Sequence, residues 1–291
     1  MERIDSHLHF WDPGRIDYFW LGVGLGALNR PVGLEELEAE RQAVGITSGV
    51  FVQASHDPRE LSWVLTELER FPWVSGVVGW LDLTAPDVGT QARQALNDAR
   101  FKGVRHLTHD IPDAAWLGRA DVGAGLDVLE ELGLSLDLVL RPEQLALAAA
   151  VVGRHPGLNV VLDHLGNPPL SGGDLRGWSA DLKALAVLPN VFAKVSGLLT
   201  GLAPGQDHAH LREAVHTAFD LFGAHRLMYG GDWPVATLAA GYRDTLNTLS
   251  SVLPPLTPDE EQAFWAGTAR RVYRLGRPST FSPPIRREVH S

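Results

Sequence analysis

The chain opens with His7-Leu8-His9, and Asp5 stands two residues before the first histidine. The run Arg3-Ile4-Asp5-Ser6-His7-Leu8-His9-Phe10 alternates like a strand. That puts His7 and His9 on one face, roughly 7 Å apart along the backbone. Two imidazoles on one face can hold one metal ion or orient one substrate carbonyl. The competing explanation is a pair of buried histidines bonded to backbone groups. Two later residues weigh against it. His164 follows the apolar run Val160-Val161-Leu162-Asp163, and Asp232 follows Leu227-Met228-Tyr229-Gly230-Gly231. Each falls where a strand should end. His7, His9, His164 and Asp232 form a ligand set for one divalent ion, with a position open for water. These ligand types suit zinc, manganese or iron, zinc first among them. Such an ion lowers the pKa of bound water to about 7, and Asp232 would then act as general base. The plainer roles are a helix cap or salt bridge for Asp232 and a loop-carbonyl contact for His164.

Other strand ends carry weaker candidates. Gln53 closes the second strand, Arg105 and His106 the fourth, and Lys194 and Ser196 the seventh. Arg105 and His106 could grip a carboxylate or hydroxyls, or form a structural ion pair. Lys194 is an ammonium inside a strand, placed either for substrate or for a core acid such as Asp137. Gln53 serves hydroxyls or backbone groups. Ser196 lacks a nucleophile elbow, so no serine triad is expected. Residues 11–33 form a long loop with Trp11, Tyr18, Phe19, Trp20 and Arg30, a candidate lid. Trp11 and Trp233 join Gln53, Arg105, His106 and Lys194 as expected substrate contacts. His56, His109, His155, His208, His210, His216, His225 and His290 read as surface.

These residues need a scaffold that delivers them to one end. Apolar runs predict strands near 3–10, 48–54, 74–82, 101–107, 134–140, 158–164, 190–196 and 226–231. Helical patterns lie near 34–44, 58–70, 87–99, 121–132, 142–154, 175–187 and 208–222, and a last one covers 258–274. Asp57-Pro58-Arg59-Glu60 and Thr257-Pro258-Asp259-Glu260 carry cap, Pro and acid in the order of a helix start. Gly133 and Gly223 stand where helices should stop. Eight strands with helices between them predict a single-domain α/β fold, a (β/α)8 TIM-type barrel over 1–277, with an extended tail over 278–291. An open doubly wound sheet would want a glycine-rich phosphate loop, and none is present.

The 291 residues are 45% hydrophobic and 21% charged, enough for a large core. There is no cysteine, which excludes disulfides, thiolate metal sites and cysteine nucleophiles. A formal net charge of −10 without a basic patch argues against nucleic acid. No apolar run reaches membrane-spanning length, so a cytoplasmic enzyme with a small-molecule substrate is expected. The oligomeric state stays open, a homo-oligomer included.

The ordered set Asp5-Ser6-His7-Leu8-His9-Phe10-Trp11-Asp12, Gly103-Val104-Arg105-His106, Leu162-Asp163-His164-Leu165-Gly166, Lys194-Val195-Ser196-Gly197 and Asp232-Trp233-Pro234 resembles the amidohydrolase superfamily. More narrowly it resembles the amidohydrolase-related group of sugar-acid and dicarboxylate lactonases, over residues 3 to about 275. The resemblance implies a TIM-type barrel that hydrolyses a ring ester such as a sugar lactone. It makes His7 and His9 the first-strand pair, His164 the sixth-strand histidine and Asp232 the eighth-strand aspartate. No lysine stands at the C-terminal end of the fourth strand, where Arg105 and His106 stand instead, which implies one metal at most. Lactonases of this group are also thought to work without metal, histidines polarising the carbonyl directly. Gly231 departs from the serine usual in relatives. Two other readings remain: a metal-dependent decarboxylase of an aromatic or muconate-type acid, and a catalytically silent metabolite-binding barrel.

Overall fold

A computed structural model describes residues 2–276. The eight strands are β1 (Ile4–Leu8), β2 (Ser48–Val52), β3 (Val74–Gly79), β4 (Phe101–His106), β5 (Ser135–Leu138), β6 (Val160–Leu162), β7 (Val191–Val195) and β8 (Leu227–Tyr229). They pair in parallel and in chain order, β1 through β8. Strands buried on both faces read as apolar runs rather than alternations, which made them visible in the sequence. The ring closes just beyond β8. Leu8 bridges Trp233 in parallel, His9 N donates to Trp233 O at 2.7 Å, and Asp232 N donates to His7 O at 2.7 Å. The closing seam is therefore made by the residues that carry His7, His9 and Asp232.

Helices α1 (Glu38–Ala43), α2 (Arg59–Glu67), α3 (Val88–Ala95), α4 (Ala120–Leu132), α5 (Leu145–Val152), α6 (Leu175–Ala186), α7 (Ala209–Phe222) and α8 (Tyr242–Val252) surround the strands. The chain continues through α9 (Pro258–Gln262), a π-helical turn at Ala263–Gly267, and α10 (Thr268–Val272). Thr257 and Glu260 form the expected capping box on α9. Gly133 ends α4 in the left-handed conformation that a residue with a Cβ disfavours. At α2 the expectation holds only in part. Asp57 Oδ1 accepts from Arg59 N at 2.9 Å, but Glu60 turns inward, is buried, and accepts from Ala54 N at 3.2 Å.

Helix α8 has no counterpart in the sequence-based assignment. Its Ser, Thr and Asn content gives weak helical propensity. What holds it is a buried face of Tyr242, Thr245, Leu246, Leu249 and Val252. A hydrophobic cluster joins Val50, Val52, Val78, Val161 and Met228 of the strands to Ala269, Val272 and Tyr273 at α10. The last helical segment thus packs against the barrel. No helix among the described residues is long and apolar enough to cross a membrane. The expected tail at 278–291 lies outside the described residues.

Candidate active site

His7 and His9 project from the C-terminal end of β1 and its extension, and both are buried. His9 Nδ1 donates to the Val52 carbonyl at 2.7 Å, which leaves the Nε2 lone pair facing inward. His7 Nδ1 lies 3.2 Å from Asp163 Oδ1, and donation there leaves its Nε2 facing inward too. The two Nε2 atoms are 3.1 Å apart, with Asp232 Oδ1 at 3.3 Å from His9 Nε2 and 3.5 Å from His7 Nε2. Three acceptors therefore converge with no donor among them. Two donors bound tetrahedrally to one zinc ion at about 2.0–2.2 Å sit about 3.4 Å from each other. The chemistry and spacing of the trio fit a small divalent ion. The second contacts of both rings fix tautomer and orientation, as metal-binding imidazoles require.

The sixth-strand histidine was expected on a strand end. Instead β6 stops at Leu162, and His164 lies in a tight turn, Asp163–Gly166. His164 and Leu165 both have positive φ, 54° and 53°, conformations disfavoured for residues with a Cβ. The turn aims His164 back over the barrel, its ring centroid 4.7 Å from that of His7. Its Nδ1 is 2.9 Å from Ser196 Oγ. As a potential ligand it groups with His7 and Asp163, beside the His7–His9–Asp232 trio rather than in it. Gly197 makes the close approach feasible: a Cβ there would lie 2.5 Å from His164 Nδ1 and 2.8 Å from Asp232 Oδ2.

Asp232 also has positive φ, 52°. Burial works to raise its pKa, but His164, His9 and His7 outweigh this and leave it at about 2. The same burial lowers the pKa of His9 and, more strongly, that of His7. The site thus holds an ionised carboxylate beside two imidazoles, His7 and His9, that favour the neutral form.

A polar floor lies under His7. Asp163, fully buried, stands 3.1 Å from Lys194 Nζ and 2.9 Å from Arg105 Nε. Burial opposes its ionisation, and Lys194, His7 and Arg105 overcome it, holding Asp163 well below the usual carboxylate range. Lys194 Nζ donates to Asp137 at 2.6 Å, and Tyr273 OH donates to the same carboxylate at 2.7 Å. On the seam side, Asp5 Oδ1 accepts from His7 N and Gly231 N, and Tyr242 OH donates to its Oδ2 at 2.7 Å. A Cβ at Gly231 would lie 2.4 Å from that Oδ2 and 2.6 Å from the Tyr242 ring. The Asp5–Tyr242 pair thus leaves no room for a side chain at Gly231.

Above the trio is a cavity of about 460 Å³ lined by His9, His164 and Asp232 with Trp20, Arg105 and His109 among others. Of the six expected substrate contacts, Arg105 lines it. Lys194 does not, because its ammonium is committed to Asp137 and Asp163 beneath the floor. His106 is occupied by the Leu81 carbonyl at 3.0 Å and by the Trp116 ring, and burial lowers its pKa to about 4. Trp11 Nε1 donates to the carbonyls of Leu28 and Arg30 and so ties down the long loop. Trp20 of that loop reaches the cavity instead. Gln53 contributes its carbonyl to Arg105 Nη1 at 2.6 Å, and Trp233 serves the seam.

Three residues escaped the sequence reading. Asp163 is adjacent to His164, and its acid charge inside an apolar run was the signal. His109, read as surface, and Arg141 both line the cavity. They follow β4 and β5 on the C-terminal side, where barrel loops build sites. His155, also read as surface, is buried.

The amidohydrolase family model matches residues 4–275. The L-fucono-1,5-lactonase of Burkholderia ambifaria is 32% identical over 281 residues, covering 95% of this chain and 97% of that protein. That of Burkholderia multivorans is 34% identical over 290 residues with the same coverage. The crystal structure of an amidohydrolase from Burkholderia multivorans with bound zinc is 34% identical, with a TM-score of 0.89 over 95% of this chain and 100% of that one. Barrel, seam, donor trio and full-length similarity agree that the chain belongs to the amidohydrolase family.

Proposed function

We propose that this protein hydrolyses the ring ester of a sugar lactone. The observation that carries the reading is the convergence of His7 Nε2, His9 Nε2 and Asp232 Oδ1 at the base of a cavity. Full-length similarity to two proteins named L-fucono-1,5-lactonase supports it. His7, His9 and Asp232 would hold a divalent ion, zinc by ligand type and by analogy with the zinc-bound relative. When bound, that ion supplies Lewis acidity for the carbonyl and lowers the pKa of water.

The chain's own residues do the rest. Asp232, ionised at any working pH, orients the attacking water and accepts its proton as the new carbon–oxygen bond forms. That proton passes to the ring oxygen as the lactone carbon–oxygen bond breaks, giving a hydroxy acid. Arg105 is anchored through Nε and Nη1 by Asp163 and the Gln53 carbonyl, and it faces the cavity. A pre-positioned cation there stabilises the charge on the tetrahedral oxygen. His164, braced by Ser196, lines the same cavity and supplies a second donor. Leu107, Val139 and Val235 give the cavity an apolar wall beside Arg105 and His109, suited to a ring with one polar and one apolar edge.

Asp232→Asn is the direct test. The proton acceptor and one charged ligand are lost together while the shape stays, so kcat at saturating zinc should fall about 10²–10⁴-fold. An unchanged kcat would remove Asp232 from the chemistry.

A further inference from the structure

We propose a second divalent-cation site on the face of the barrel opposite the cavity, formed by Asp127, Glu130 and His155. It does not depend on the function proposed above. Asp127 and Glu130 are three apart near the C-terminal end of α4, so they share one helix face. His155 lies in the turn between α5 and β6. Helices return against the strand direction, so this cluster sits at the N-terminal end of the barrel.

Three features point to a ligand. First, His155 Nδ1 lies 3.2 Å from Asp127 Oδ1 and 3.6 Å from Glu130 Oε2. These values bracket the roughly 3.4 Å between two donors on one tetrahedral zinc ion, as do those of the His7–His9–Asp232 trio. Second, the His155 side chain is only 8% exposed, yet its Nδ1 makes no hydrogen bond. The carboxylate oxygens flank the nitrogen off its N–H axis, as ligands around one ion would. Third, two of the three residues, His155 and Glu130, are held in place before any ion arrives. His155 N donates to Val152 O, and its carbonyl accepts from Leu158 N and from Asn190 Nδ2. Glu130 Oε1 accepts from Gly157 N at 2.6 Å, which leaves Oε2 for the ion. Asp127 is 73% exposed, so the site opens to solvent.

One imidazole and two carboxylates select a borderline ion such as zinc or manganese over calcium, which takes oxygen ligands alone. Waters would complete the shell. The ion would clip α4 to the turn that starts β6, on the face that serves stability rather than catalysis.

The test is equilibrium dialysis of the tag-free protein against micromolar zinc chloride, comparing wild type with Asp127→Asn/Glu130→Gln. Both substitutions keep volume and the acceptor for Gly157 N. Wild type should hold one zinc equivalent more than the variant, whatever the catalytic centre holds, while lactone turnover stays equal. If the double variant fails to fold, Asp127→Asn alone should bind that last equivalent at least tenfold more weakly. Equal zinc content and affinity in wild type and variant would reduce the cluster to a histidine–carboxylate ion pair and overturn the proposal.

Discussion

Two cations, Lys194 and Arg105, and two acids, Asp137 and Asp163, lie buried around His7. Removing charges from water costs several kcal/mol per ion, and only close pairing offsets it. The four are arranged so that Asp163 faces both cations and His7, while Asp137 takes Lys194 and the Tyr273 hydroxyl. Breaking the set by one member is the costly change. Lys194→Met keeps the length of the side chain, strands Asp137 without its cation and leaves Asp163 with Arg105 alone. It should destabilise the fold by about 3–5 kcal/mol in urea denaturation. A loss below about 1 kcal/mol would mean that Asp137 and Asp163 do not rely on it. In sequence, the pairing of Lys194 with Asp137 was one of two readings. The share that Asp163 takes in that cation was not legible, because nothing in a strand's apolar run says which buried acid receives which cation.

Element boundaries carry the next level of control. The turn between β2 and α2 is pinned by Glu60, whose buried carboxyl accepts from Ala54 N. Burial raises its pKa to about 8, against resistance from the Ser55 and Ala54 amides and Arg105. Between about pH 4.5 and 8 the folded protein keeps a proton that the unfolded chain has already lost. Stability from this group therefore falls as pH rises through that window and levels off above it. Glu60→Gln should flatten that slope. Between pH 5 and pH 8 wild type should lose on the order of a few kcal/mol relative to the variant, read from urea midpoints. Parallel slopes for the two proteins would contradict this placement of Glu60. At this level the sequence was informative where burial dominates and silent where geometry does. The strands, the Thr257 box and the Gly133 stop follow from local patterns. Helix α8 did not, since its Ser- and Thr-rich surface masks the four-residue apolar face. Nor did the full left-handed turn at His164: Gly166 and Asn167 are residue types that suit positive φ, but nothing in the sequence extends it to His164 and Leu165.

The whole molecule joins closure to chemistry. The hydrogen bonds from His9 N to Trp233 O and from Asp232 N to His7 O shut the barrel, and the same residues bring the donor trio together. Asp5 ties this seam to α8 through Tyr242 and to the β8 loop through Gly231. A barrel that closes is thus one whose site is assembled. The opposite end, with α10 against the strands and the Asp127–Glu130–His155 cluster, is left to hold the ring together. The central claim is lactone hydrolysis at the cavity end. Its most direct test is acid release from a panel of aldonolactones and dicarboxylate lactones, followed by pH indicator at neutral pH with zinc present. Turnover of a sugar lactone well above spontaneous opening, abolished in Asp232→Asn, is the expected result. No turnover of any lactone by folded, zinc-supplied protein would contradict it.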